Sequence, residues 1–263
     1  MNIINFRIIM LNTRFKIIYF ALMLLICYAS GQENEIKILR LKDALELAHR
    51  NLPDTLSEAY DNNIKSAYYY WIYNHNRIKV LKEKKLLYKD FMVISGLHFK
   101  SGEINLMKKS LAEIEYFKVE SQYSNAQNDF LISENNLKKF LYTDDKILPG
   151  NDSLGKYYLP DNIISMSLQD SSINNYKDFA AQNDYQNLGL LLEKYDIQLE
   201  YYEEILSLAQ KLIVTTRLRY NSEDIEYFHY INIISSALNF KLEYLKSLNL
   251  YNQTALKIEM YID

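Results

Sequence analysis

Cysteine is all but missing from this 263-residue chain: the single one, Cys27, lies in its first apolar stretch. Without a second cysteine the chain closes no internal disulfide and builds no thiolate metal site. Glycine and proline are almost as scarce, 6 and 3 residues, so turns are few and the elements between them are long. The histidines, His49, His75, His98 and His229, include no pair at the i, i+4 spacing that sets two imidazoles on one helix face. His98 and His229 each stand beside a predicted turn and would approach one another if two hairpins packed side by side. Also lacking are a glycine-rich phosphate loop, a nucleophile with a base at recognisable spacing, and a basic stripe. The residues therefore support no enzyme, no cofactor or metal site and no nucleic-acid partner.

Long apolar runs are missing too. The run Ile17 to Tyr28 is short of the roughly 20 residues a spanning helix needs. It follows Arg7, Arg14 and Lys16, no acid occurs in residues 1–31, and Ala29-Ser30-Gly31 closes the stretch. Residues 1–31 are thus expected to be a secretory signal peptide, with Met10 as an alternative start. Lipidation of Cys27 is disfavoured by the bulk of Ile26 just before it. Removing this leader takes three bases and no acids from 30 Lys+Arg and 33 Asp+Glu, leaving 27 against 33 and a formal charge of −6. A mildly acidic exported chain is a poor nucleic-acid binder.

What is abundant is helical pattern. Hydrophobic residues make up 49% of the chain and tyrosine contributes 24 residues. An apolar ring with a hydroxyl suits seams that meet water, a lipid interface or another chain, though a composition rich in Tyr, Asn, Lys and Ile accounts for the count as well. Leu41, Ala44, Leu45 and Ala48 stand at helical spacing before Pro53 interrupts. From about Leu56 a second helical pattern runs through Tyr68 to Tyr73, Leu81, Leu86, Val93 and Leu97 to a turn near Ser101. The Tyr68 to Tyr73 cluster is expected in a core or subunit contact rather than in an aromatic belt. Beyond the turn Tyr116, Val119, Tyr123, Ala126, Phe130, Ser133, Leu137 and Phe140 step by 3 and 4, a coiled-coil seam.

Pro149, Gly150, Gly155 and Pro160 mark residues 146–170 as a linker, in which Ile164 to Leu168 alternates like a short strand. A helical pattern returns near Ser171 and carries the seam Leu199, Tyr202, Leu206, Ala209, Ile213, Thr216 and Tyr220. The last one carries Ile231, Ile234, Leu238, Leu242, Leu245 and Leu248, then Tyr251, Ala255, Ile258 and Ile262, and is still helical as the chain ends. The two turns correspond: Phe99 aligns with Tyr220, Ser101 with Ser222 and Ile104 with Ile225. The expectation is an all-α chain of two long antiparallel helical hairpins, four long helices in coiled-coil pairs with little or no β structure. Residues 32–145 form the first repeat and 171–263 the second.

Several stretches, taken in order, resemble the TolC family of outer-membrane efflux proteins, and most nearly its members associated with heavy-metal pumps of the resistance-nodulation-division class. They are Leu41-Lys42-Asp43-Ala44-Leu45-Glu46-Leu47-Ala48, Ser66-Ala67-Tyr68-Tyr69, the turn Phe99 to Leu106, Tyr201-Tyr202-Glu203-Glu204 and Tyr244 to Gln253. The resemblance implies a homotrimer whose hairpins build a periplasmic tunnel. It implies too that the tips, Ser101, Gly102, Glu103, Ile104 and Asn105 with Ser222, Glu223, Asp224 and Ile225, dock a periplasmic adaptor and an inner-membrane pump. Such a protein sits in the outer membrane and passively conducts what the pump delivers, heavy-metal cations among the candidates.

The family also has barrel strands, a pair in each repeat, which would fall at about residues 54–60 and 180–190. A membrane strand needs about 9 to 11 alternating residues. Pro53 to Ala59 is too short and Asn183 to Leu192 reads as helix. That departure favours a non-conducting periplasmic scaffold or interaction protein as the alternative; a coiled coil unrelated to transport is a third. Glu103 and Glu223-Asp224 place acids at both turns, where they would either cap the outgoing helices or form a ring of charge in a symmetric assembly.

Phe130→Asp and Leu245→Asp are expected to lower helicity or assembly, since a buried unpaired charge costs several kcal/mol. Unchanged circular dichroism and unchanged oligomer size in both variants would remove the seam assignment.

Overall fold

The computed structural model describes residues 37–51, 58–150, 153–159, 176–221 and 226–260. The leader, residues 52–57, the strand-like Ile164 to Leu168, the second tip at 222–225 and Ile262 lie outside these. The elements are β1 (Lys37–Leu39), α1 (Leu41–Asn51), α2 (Glu58–Lys100), α3 (Leu106–Leu141), β2 (Ile147–Pro149), α4 (Tyr176–Asn221) and α5 (Tyr227–Glu259). Two compact units are distinguished. The described part of the first, Lys37 and Asp145–Leu148, is tied by a 2.9 Å bond from the Lys37 N–H to the Lys146 carbonyl and by the Lys37–Asp145 ion pair. The second, Ile38–Asp144 with Pro149–Asp263, holds all the helices.

Length is the first consequence of the missing glycines and prolines. α2 runs 43 residues, about 65 Å at 1.5 Å per residue, and its partner α3 runs 36. Along α3, Ala112, Val119, Ala126 and Ser133 are buried at every seventh position, the heptad period that keeps one stripe against a neighbour. Small side chains at those positions let α3 approach α2 closely. Cross-hairpin ion pairs, Arg77 with Asp129 at 2.7 Å and Lys85 with Glu120 at 2.9 Å, set the register.

α3 packs along α2, α2 along α5 and α5 along α4, while α1 covers the end of the first hairpin. The α2–α5 seam is antiparallel and polar at intervals. Lys65 meets Glu259 at 3.0 Å. The Ser66 hydroxyl donates to Gln253 Oε1 at 2.5 Å, Lys84 donates to Asn239 Oδ1 at 2.7 Å and the Tyr88 hydroxyl to Ser235 Oγ at 2.9 Å. Along the same helices, Trp71, Ile64, Ile72, Leu248 and Leu256 are fully buried, and the Trp71 ring stacks on Phe130 at 6.3 Å. Of the tyrosine cluster, Tyr68 is buried and Tyr70 is exposed, while Tyr69 meets Tyr157 edge to face at 5.7 Å.

The sequence pattern misplaced one stripe. Leu86, Val93 and Leu97 of α2 are 55%, 52% and 60% exposed, whereas Tyr88, Phe91 and Ser95 are buried. α2 carries apolar residues on more than one face, and the buried face is the one bracketed by both α3 and α5. The seams expected in α3, α4 and α5 do lie inward: Val119, Ala126, Leu137, Leu199, Ala209, Ile231, Ile234, Leu245 and Leu248 are all buried. Thr216, the one polar member of the α4 stripe, is buried with them.

Within the linker the structure differs from a plain connection. Ile147–Pro149 is a strand, paired in a two-stranded sheet with β1, where no strand was expected. Residues 153–159 are fastened onto the helices: the Tyr157 N–H donates to Asn252 Oδ1 and Asn252 Nδ2 to the Gly155 carbonyl, each at 2.8 Å. Lys156 pairs with Asp196, and the Tyr157 hydroxyl with Glu259 at 2.8 Å. Such bonds form only once α5 is in place, so no local pattern announces them. α5 itself stops at Glu259 with Met260 as its cap.

Gly150 donates its N–H to the Leu39 carbonyl at 2.8 Å, and a Cβ there would stand 2.7 Å from Arg40 Cγ and 3.0 Å from that carbonyl. A Cβ on Gly155 would meet nothing within 4 Å. Gly150→Ala is therefore expected to destabilise by about 1–3 kcal/mol and Gly155→Ala to leave stability unchanged within about 0.5 kcal/mol. Chemical denaturation of the two variants measures the difference.

Candidate docking site at the hairpin tips

The first tip is a five-residue turn built by two capping devices. α2 ends in a Schellman arrangement: Gly102 takes φ +79, its N–H donates to the Phe99 carbonyl at 3.1 Å, and the Glu103 N–H donates to the His98 carbonyl at 2.9 Å. Only glycine adopts that backbone without cost. α3 then starts on Asn105, whose backbone is extended and whose side-chain oxygen accepts the Lys108 N–H at 3.0 Å. All five residues predicted for this tip, Ser101 to Asn105, fall within this one solvent-facing turn.

Glu103 was one candidate cap for α3, and the structure assigns that role to Asn105. The Glu103 carboxylate reaches back instead to α2, with Oε1 2.7 Å from the Ser101 hydroxyl and Oε2 2.5 Å from His98 Nδ1. The Ser101 hydroxyl bond, followed by the one from His98, holds the Glu103 carboxyl below the usual glutamate range. A carboxylate depressed in the folded state stabilises the turn above its unfolded pKa, and that support is lost as pH falls through the lowered value. Asparagine directly before an apolar helical run was the signal for the cap.

At the same end, α4 finishes and α5 begins beside α2. Phe91, about 15 Å before the tip along the helix, lies edge to face on Phe228 at 5.0 Å and tilted against Tyr227 at 6.0 Å. Tyr220 stacks on Tyr230 at 4.7 Å, and Lys108 Nζ sits 5.5 Å from the Phe228 ring centre. Burial, then the charge of Asp90, pushes the Tyr227 hydroxyl up. The aromatic wedge, unrecognised in the sequence, locks the second hairpin against the first. His98 is engaged with Glu103, and among the described residues no group of three or more His, Cys, Asp or Glu is gathered for a metal. Ser222, Glu223, Asp224 and Ile225 of the second tip are outside the described residues.

Two long antiparallel hairpins, side by side with their turn ends together, define a TolC-like fold. No family model and no curated protein matches the sequence. Solved structures do. Crystal structures of CusC, which follow conformational changes accompanying folding and transmembrane channel formation, align at TM-score 0.63 and 11% identity over 89% of this chain and 92% of that chain. A membrane protein from Pseudomonas aeruginosa aligns at TM-score 0.55 and 8% identity over 85% of this chain and 70% of that one. At these identities the likeness is one of fold. It is shared with a channel-forming protein.

Ser101→Ala is expected to raise the Glu103 pKa toward the ordinary value, read by carboxyl NMR titration. Gly102→Ala should destabilise the chain by about 1 kcal/mol through its positive φ. A Glu103 titration unmoved by the serine change would remove the Ser101 bond as the cause.

Proposed function

We propose that this chain is a subunit of a TolC-like efflux duct. Copies of the chain, three by the family resemblance, would pack their hairpins into a tube that passively conducts what a pump delivers. The observation that carries this is the state of the two edge helices. α3 leaves Leu111, Ile114 and Phe117 exposed and α4 leaves Leu208, Leu212 and Leu218 exposed. Apolar stripes of that kind on helices with one long neighbour each call for further helices to cover them. The shared fold with CusC supports the same assignment.

The tips, Ser101 to Asn105 with Ser222 to Ile225, are then the docking points for a periplasmic adaptor and, through it, an inner-membrane pump of the resistance-nodulation-division class. Heavy-metal cations are the proposed substrates, on the strength of the sequence resemblance, and the outer membrane the proposed location. A second assignment rests on one specific feature. Residues 183–192, where the second pair of membrane strands would fall, lie inside α4. That favours a periplasmic scaffold that kept the hairpins and does not conduct.

Membrane fractionation with an alkaline carbonate wash and crosslinking separates the two. Retention in the outer membrane as a crosslinked trimer is expected for the duct; release as a soluble periplasmic species would select the scaffold. Glu103→Lys with Glu223→Lys should keep the fold and weaken adaptor capture in a pull-down, and undiminished capture would remove the tips from docking.

A further inference from the structure

The valley between α2 and α5, on the side that faces Gln122 of α3, opens into a groove of about 620 Å³ lined by Tyr70, Tyr73, Arg77, Lys84, Asn239 and Lys246 among others. That size lies in the range of small-molecule sites, roughly 300–1,000 Å³. A cation forms its floor. Lys84 is only 8% exposed. Its ammonium donates to Asn239 Oδ1 at 2.7 Å and stands 5.9 Å from the Tyr88 ring centre. Both partners are uncharged, and among the described residues no carboxylate comes within ion-pair distance of it, 4.0 Å.

The other charges around the groove are matched. Arg77 is held by Asp129 at 2.7 Å, and Lys246 faces Glu243 at 3.9 Å. On α3, Lys118 and Glu115 act on Lys84 in opposite directions. One positive charge is therefore left over, inside the protein. Burial, followed by repulsion from Lys118, pulls Lys84 below the ordinary lysine value, the signature of an ammonium in want of a counter-charge. Beside it the wall turns organic: Tyr70 and Tyr73, rings 6.0 Å apart and tilted by 34°, with Leu81 and Leu242.

We propose that this groove binds a small organic carboxylate, its anionic head on Lys84 between Arg77 and Lys246 and its body against the Tyr70 and Tyr73 rings. A single uncompensated cation matches a monoanion, and the two rings favour a flat body over a bare inorganic ion. The site is separate from the hairpin tips and does not depend on whether the chain conducts.

Titration calorimetry of the full chain with sodium benzoate, at constant ionic strength in sodium chloride, tests this. Saturable binding with a dissociation constant of about 1 mM or tighter is expected. Lys84→Met, which keeps the stem and removes the charge, should weaken it at least about tenfold, while Lys84→Arg retains it. Lys85→Met, whose native ammonium pairs with Glu120 at 2.9 Å, should bind as the native chain does. Lys246→Met gives a second variant on the groove rim and should weaken binding several-fold even if the Lys84 variants fold poorly. No saturable heat from the native chain, or equal affinity in the native chain, Lys84→Met and Lys246→Met, overturns the site.

Discussion

The seam between α2 and α5 is the contact on which the rest of this structure depends. Each hairpin would fold on its own turn, but nothing within a hairpin says where the other belongs. Lys65 with Glu259, Ser66 with Gln253, Lys84 with Asn239 and Tyr88 with Ser235 are spaced along nearly the whole seam. A slide by one helical turn would break all of them and bury their polar groups unpaired, at about 1–3 kcal/mol each. The seam thus has one register, and that register brings Phe91 to Phe228 and sets both hairpin ends together.

Polar groups at a buried seam carry a second consequence. Trp71 Nε1, Asn74 Oδ1, Ser95 Oγ and Asn249 Oδ1 are buried without a protein partner. A seam with unsatisfied groups is less costly to open than a wholly apolar one, because water entering it regains hydrogen bonds.

Covered and uncovered faces divide the helices by role. α5 is buried nearly all round toward its C-terminal end, with Leu248, Tyr251, Asn252, Ala255, Leu256 and Ile258 inside. The outer helices α3 and α4 instead carry one inward stripe and a set of exposed leucines and isoleucines. A helix buried on one stripe and apolar on another is stable only as part of a larger array. The TolC-like fold supplies such an array when copies assemble, which is why the fold and the exposed stripes lead to the same proposal.

Helix existence, length and inward stripe were legible in the residues because they follow from local rules. Glycine and proline are too scarce to interrupt, and periods of 3 and 4 mark which face turns away from water. The first tip was legible for the same reason, since a Schellman glycine acts within a few residues of itself, although the cap of α3, expected of Glu103, falls to Asn105. The α2 stripe was not: its apolar residues lie on several faces, and only the positions of α3 and α5 decide that Tyr88 and Phe91 are buried and Leu86 and Val93 exposed. Nor were the strand at Ile147–Pro149, the fastening of Tyr157 to Asn252, or the unmatched charge of Lys84. Each depends on residues far apart in the chain meeting at one point, a condition that sequence periodicity does not encode and that packing alone supplies.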